Sequence, residues 1–273
     1  MFKAVVALLI FSALSSAVYL FNDLRDIESD RAHPVKRNRP IAAGEVPVTI
    51  AWLTAAALAA AGLTVAYLIS WNMGIITSIY ITLNVAYTLA LKHMVILDVM
   101  AVSGGFVLRA LAGAFVIDGT NLTRDGVTAP IELNISPWLY VVTALGALLI
   151  ALVKRKSELL GAGGNAGEQR SILQEYSVPL LDQLIGIVAT ATLVAYTLYT
   201  FSSGITDTSN VPENNSMMLT IPFVAYGIFR YLYLLHIQGK GEAPEEVLLT
   251  DWPLRVNILL WLITGAVVLL VNR

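Results

Sequence analysis

Apolar residues run through this chain in long blocks separated by short polar segments, and the blocks have the length of a bilayer. A helix needs about 20 apolar residues to cross a hydrocarbon core. Such windows fall at residues 2–21, 48–69, 71–90, 95–117, 137–153, 178–201, 217–237 and 254–271. Eight membrane-spanning helices are therefore expected, in an all-α bundle. Polar segments lie between them at 22–47, 118–136, 154–177, 202–216 and 238–253, with tight joins near Ser70–Gly74 and at Lys92–His93. The first block has features of a signal peptide: one Lys, an apolar run and the small residues Ser15, Ser16 and Ala17. It continues through Tyr19, Leu20 and Phe21 straight into a polar motif. Cleavage would strip that motif of its helix, so the block is read as a retained span.

Composition agrees with this pattern. Of 273 residues, 57% are hydrophobic and 13% are charged, against about 25% charged in a soluble domain. The chain reads as a polytopic membrane protein of one domain, residues 1–273. It has no cysteine, which excludes a disulfide framework, a thiolate metal site and a cysteine nucleophile. His33, His93 and His236 lie far apart and form no metal-ligand spacing. The net charge of −2 identifies no partner, and no nucleic acid is expected. A monomer and a homo-oligomer both stay open.

The placement of charge says more. On one set of alternate loops lie Arg25, Arg31, Lys36, Arg37, Arg39, Lys92, Lys154, Arg155, Lys156, Arg170 and Lys240; on the other lies Arg124 alone. Positive residues favour the cytoplasmic side. The loops after the first, third, fifth and seventh spans are therefore expected in the cytoplasm, with both termini facing outward and the protein in the plasma membrane.

The richest chemistry lies between Asn22 and Gly44, in NDLRDIESDRAHPVKRNRPIAAG. Asn22, Asp26 and Asp30 follow one another at intervals of four, so on a helix they share a face, with Asp23 beside it. A row of carboxylates with an amide is a hard-oxygen site, of the kind that holds Mg²⁺ when a phosphate completes the shell. Arg31, Lys36, Arg37 and Arg39 follow, and cations of this kind neutralise phosphate oxygens. A solvated loop of mixed charge is the plain alternative, and the membrane-length blocks on both sides argue against it. A second cluster, Lys154, Arg155, Lys156, Ser157 and Glu158, closes the fifth span, and Lys154 and Glu158 share a helix face. Its plain reading is a positive-inside cap with helix ion pairs worth a few tenths of a kcal/mol each. Its sharper reading sets it across a cytoplasm-facing cavity from the acids, where metal and cations together suit a diphosphate. Ionisable groups inside spans are costly and point to function. Asp98 lies at the start of the fourth span, Arg109 near its middle and Arg230 in the seventh. Arg109 suits either a carboxylate partner or substrate, and Arg230 suits the inner interface with Tyr231 and Tyr233.

Asn22, Asp23, Asp26 and Asp30 match in full the Asn-Asp-x-x-Asp-x-x-x-Asp signature of the UbiA superfamily of intramembrane prenyltransferases, which the chain resembles. Typical members carry a second Asp-rich motif after a later helix. Here the Lys154–Glu158 cluster stands in that place, with one acid among cations. Together with SAVYLFNDLRDIESDRAHPVKRNRPIAAG, LKHMVILDVMAVSGGFVLRALAG, VKRKSELL and EYS, this departure is similar to the superfamily's decaprenyl-phosphate phosphoribosyltransferase branch. The resemblance implies 5-phosphoribosyl 1-diphosphate as donor, a polyprenyl (decaprenyl-type) phosphate as acceptor and Mg²⁺ as cofactor. The product would serve the pentose, or arabinan, of a cell envelope. It places Mg²⁺ on Asn22, Asp26 and Asp30, catalysis on Asp23, Asp26, Asp30, Lys36, Arg39, Lys154 and Arg155, and substrate contacts on Asn22, Arg37, Lys92, Asp98, Arg109, Glu158 and Tyr176. The alternatives are a prenyltransferase with an aromatic acceptor and, from another class, a transporter or membrane scaffold. No internal repeat of the transporter kind is visible. Family members have nine helices, and the eight expected here lack a counterpart of the first. That implies a misassigned start, a fragment or a member without that helix.

Overall fold

The computed structural model describes residues 2–32, 36–117, 121–124, 127–130, 137–161, 171–201, 212, 214–238, 247 and 249–271. Arg170, Lys240, His33, Asp118, Asp125, Glu132, most of the 202–216 segment and the glycine-rich stretch 162–167 lie outside these residues. The chain divides into two compact units, Met1–Leu133 and Asn134–Arg273.

The first unit holds α1 (Phe2–Arg25), α2 (Ile27–Ala32), a 3-10 turn (Lys36–Asn38), α3 (Val48–Ile69), α4 (Trp71–Leu89), a second 3-10 turn (Leu91–His93) and α5 (Leu97–Ile117). The first four long helices meet around Ala7, Ile10, Leu14, Ala66, Met73, Ile76, Tyr80, Ala112 and Val116. Lipid tails are as apolar as leucine, so helices in a membrane associate by close packing rather than by exclusion from water. The side of α3 that is buried carries only small residues: Ala51, Ala55, Gly62 and Ala66. Gly62 takes Leu14 of α1 against its backbone, where an added Cβ would lie 2.6 Å from Leu14 Cδ2.

Seven helices among the described residues are long and apolar enough to cross a membrane: Val5–Arg25, Val48–Ile69, Leu97–Val116, Pro137–Gly161, Val178–Thr200, Ser216–Ile237 and Trp252–Val271. The eighth expected span is α4. This helix forms over 19 residues but is too polar to meet the same measure. Several of its polar side chains bond to the helix's own carbonyls, which spares them a partner in lipid. Thr77 donates to Met73 O (2.6 Å), Ser78 to Gly74 O (2.8 Å), Thr82 to Ser78 O (2.8 Å) and Asn84 to Tyr80 O (2.8 Å). A departure lies in the segment read as a polar loop, where β1 (Asn121–Arg124) pairs antiparallel with β2 (Val127–Pro130), Arg124 opposite Val127. Asp-Gly between two β-prone runs is the sequence cue for such a hairpin.

The second unit holds α6 (Pro137–Gly161), a 3-10 turn (Ser171–Glu175), α7 (Val178–Thr200), a 3-10 turn (Ser216–Thr220), α8 (Ile221–Gln238) and α9 (Trp252–Val271). α6 runs past the expected end of its span at 153 and carries the KRKSELL sequence on two further turns. Lys, Arg, Glu and Leu all favour the helix, so it continues where the apolar run stops. α6 and α7 pack against each other, and Leu149, Leu152 and Val153 of α6 and Leu181, Ile185 and Val188 of α7 are buried. Ser177 caps α7, accepting from Leu180 N at 3.3 Å. Asp251 accepts from Leu254 N at 2.9 Å at the start of α9 and pairs with Arg230 of α8 through two bonds, at 3.1 and 2.8 Å.

Candidate active site

The acidic row begins on the last turn of α1 and passes through a break at Asp26 into α2. The helical backbone pairing survives the break, since Asp26 N donates to Asn22 O (2.9 Å) and Asp30 N to Asp26 O (2.8 Å). The backbone pairing at intervals of four thus runs across two helices.

Each polar side chain of the row has a partner from its own unit. Thr88 donates its hydroxyl to Asn22 Oδ1. Lys92 Nζ lies 2.7 Å from Asp26 Oδ1. These two pairs share one offset in sequence: Asn22 and Asp26 are four apart, and so are Thr88 and Lys92, at the end of α4 and in the turn after it. The ends of α1 and α4 therefore lie side by side. Arg39 closes the set, with one nitrogen, Nη1, 2.7 Å from Asp23 Oδ1 and 2.9 Å from Asp30 Oδ2. Asp30 is buried, its side chain 4% exposed, while that of Arg39 is 42% exposed.

The turn bearing Arg39 is built to hold it there. Ile41 packs with Leu24 and Ala51, clamping the segment between α1 and α3. Ala43 N donates to Arg39 O (2.8 Å) and Glu45 N to Pro40 O (2.9 Å). Gly44 takes φ +81°, a conformation that a side chain disfavours. Arg31 Nε donates to Ala42 O at 3.0 Å, so this cation fixes the turn. Lys36 is half-buried and Arg37 exposed on the 3-10 turn. Asp98 is fully buried in the first turn of α5. Among the described residues, Arg109 meets aromatic rings and no carboxylate, so of its two readings the carboxylate pair is not formed. Its guanidinium carbon lies 4.3 Å from the Phe106 ring centre and 5.8 Å from that of Tyr80.

In the second unit the cationic cluster sorts itself by burial. Lys154 is exposed, while Arg155 and Lys156 are each 5% exposed. The expected Lys154–Glu158 pairing is replaced by Arg155–Glu158 at 2.5 Å, three residues apart. Lys156 Nζ lies 2.6 Å from Asp182 Oδ1 of α7, and His236 Nε2 of α8 approaches the same oxygen at 3.2 Å. Tyr176 is buried beside the start of α7. Thr88, Asp182 and His236 are the partners that sequence spacing missed. Thr88 had a signal, being four residues before Lys92; Asp182 and His236 sit on helices whose pairing only the fold supplies.

Among the described residues, no three His, Asp or Glu side chains converge closely enough to hold a metal alone. Two carboxylates do converge, since Asp23 and Asp30 meet at one nitrogen. That donor set fits Mg²⁺, which takes one or two carboxylates and fills its shell with waters and phosphate oxygens.

Residues 2–250 match the model of the UbiA prenyltransferase family. The decaprenyl-phosphate phosphoribosyltransferase of Mycolicibacterium smegmatis is 37% identical over 263 residues, covering 95% of this chain and 78% of the relative. Those of Corynebacterium glutamicum and Mycobacterium tuberculosis are 37% and 32% identical, covering 94% and 97% of this chain and 72% and 82% of the relatives. The solved structure of a UbiA homolog from Archaeoglobus fulgidus bound to DMAPP and Mg²⁺ superimposes with a TM-score of 0.71 at 18% identity, covering 98% of this chain and 87% of that one. A UbiA homolog from Aeropyrum pernix superimposes with a TM-score of 0.60 at 17% identity, covering 97% and 93%. By its acid row, its long apolar helices and these likenesses, the chain is a multi-pass membrane transferase that belongs to the UbiA prenyltransferase family.

Proposed function

We propose that this protein transfers 5-phosphoribose from 5-phosphoribosyl 1-diphosphate to a polyprenyl phosphate of the decaprenyl type, releasing diphosphate, at the cytoplasmic face of the plasma membrane. The observation that carries the reading is a complete acid row, matched by Arg39 and Lys92, in a chain 32–37% identical over most of its length to proteins of that name. The product would feed pentose into envelope polymers.

Mg²⁺ would be held by Asn22, Asp26 and Asp30 with Asp23, and when bound it offsets the charge of the leaving diphosphate. Arg39 and Lys92 stand at the same oxygens and have the length to reach phosphate from there. Lys36 and Arg37 extend the positive rim. In the transfer, the bond from ribose C1 to the diphosphate oxygen breaks and the electron pair leaves with diphosphate. An acceptor phosphate oxygen forms the new bond to C1. That oxygen is already anionic at neutral pH, so no proton has to be removed. Catalysis then consists of positioning and of electrostatic stabilisation of the leaving group.

A prenyl diphosphate donor is the second reading, and the Archaeoglobus homolog, bound to DMAPP and Mg²⁺, is what favours it. Against it stands the cation-rich sequence Lys154–Lys156, where a second acid set would serve a prenyl diphosphate. Mass spectrometry of the lipid formed by purified protein decides between them. The phosphoribosyl reading expects a polyprenyl phosphate heavier by one phosphoribosyl group. A prenylated small acceptor instead would overturn it.

A further inference from the structure

We propose that Arg39 and Lys92 are internal counter-ions that make metal capture by the acid row conditional on the arrival of a diphosphate. The proposal rests on the reading that this row takes a metal-bound diphosphate, and it concerns the order in which the parts come together.

The argument starts from burial. The Asp30 carboxylate is 4% exposed, and a buried carboxylate needs a cation at all times. Arg39 supplies that cation, and the same nitrogen serves Asp23. Arg39 itself is 42% exposed. A half-exposed guanidinium loses little when it lets go, because water takes over its solvation. Asp30 must therefore keep a cation, whereas Arg39 is able to leave. Lys92 is the counter-ion of Asp26 at 2.7 Å, although here the cation is the more buried partner, 14% exposed against 36%.

A divalent metal needs the oxygens that these two cations hold. Arriving alone, it has to displace Arg39, and the freed guanidinium then stands beside a dication and is repelled. Arriving with diphosphate, it brings an anion that takes Arg39 and Lys92 in charge-assisted hydrogen bonds. The exchange then keeps every charge paired: carboxylates pass from Arg and Lys to the metal, while Arg and Lys pass from carboxylates to phosphate. The Ile41 clamp keeps the backbone of the Arg39 turn in place during the exchange, so only the side chain has to move.

The test uses the full chain in detergent, with Mn²⁺ as the metal and inorganic diphosphate as the anion, and binding read by electron paramagnetic resonance. Wild type should bind Mn²⁺ weakly alone and at least tenfold more tightly with diphosphate. Arg39→Gln should bind Mn²⁺ alone at least tenfold more tightly than wild type does, and its gain from diphosphate should shrink. Arg39→Lys, which keeps the charge, should restore the dependence on diphosphate. Lys92→Gln provides the same comparison through a second residue, should Arg39→Gln fold poorly. Tight binding of Mn²⁺ alone by wild type, or no gain in either Gln variant, would overturn the proposal. Asp30→Asn separates the two levels. Loss of Mn²⁺ binding in that variant, with no gain in the Gln variants, defeats the counter-ion idea alone. Full Mn²⁺ binding in Asp30→Asn defeats the metal reading of the row and the proposal with it.

Discussion

Arg39 and Asp30 form one ion pair but should respond to mutation unequally. Removing Arg39 as Arg39→Gln leaves the Asp30 carboxylate buried without its cation. Stripping a buried ion of its partner costs about 3–5 kcal/mol. Relaxation toward the half-exposed rim lowers this, so about 3 kcal/mol is expected. Removing the other partner as Asp30→Asn leaves Arg39, 42% exposed and still paired with Asp23. A pair seen from its exposed side is worth about 1 kcal/mol or less. The two variants should thus differ by about 2 kcal/mol, with Arg39→Gln the less stable. Chemical denaturation in detergent with chelator present measures both. Mg²⁺ with diphosphate should then recover part of the loss in Arg39→Gln. If Asp30→Asn proved equally or more destabilised, Asp30 would not depend on Arg39 as its burial indicates.

Other outcomes follow from single contacts. Gly62→Ala drives a methyl into Leu14, 0% exposed, and overpacking of this kind costs about 1–3 kcal/mol; in a double-mutant denaturation cycle, Leu14→Ala should absorb part of it. Lys92→Ala should lower transfer at least tenfold in a membrane assay by removing the cation 2.7 Å from Asp26, and Lys92→Arg should keep more activity than Lys92→Gln. Asp251→Asn retains the acceptor for Leu254 N but loses the charge facing Arg230, whereas Asp251→Ala loses both. Thermal unfolding should rank wild type above Asn and Asn above Ala, the lost cap alone being worth about 1 kcal/mol.

The helices were legible because both their length and their apolar content are set by the bilayer. α4 shows where that signal weakens: its threonines and asparagine bond to their own backbone, so a polar composition is compatible with a packed helix. The interval of four that joins Asn22, Asp26 and Asp30 is local, and backbone bonds of that spacing run across the break at Asp26. The same local logic misled at Lys154, since Glu158 has two cations within reach and takes the buried one, Arg155. Partners on distant helices left no local trace. Asp182 and His236 meet Lys156 only because α6, α7 and α8 pack as they do. The hairpin at 121–130 did leave a trace, in Asp125-Gly126 between two β-prone runs, but its polarity made it read as loop.

The most direct test of the central claim sets two labelled donors side by side on membranes containing this protein. One is 5-phosphoribosyl 1-diphosphate and the other a prenyl diphosphate, each with polyprenyl phosphate, an aromatic acceptor and Mg²⁺. The account predicts that ribose label enters the lipid phase, that this needs polyprenyl phosphate, and that Asp26→Ala loses it by orders of magnitude. Prenyl label moving to the aromatic acceptor while the ribose label stays in water would contradict it.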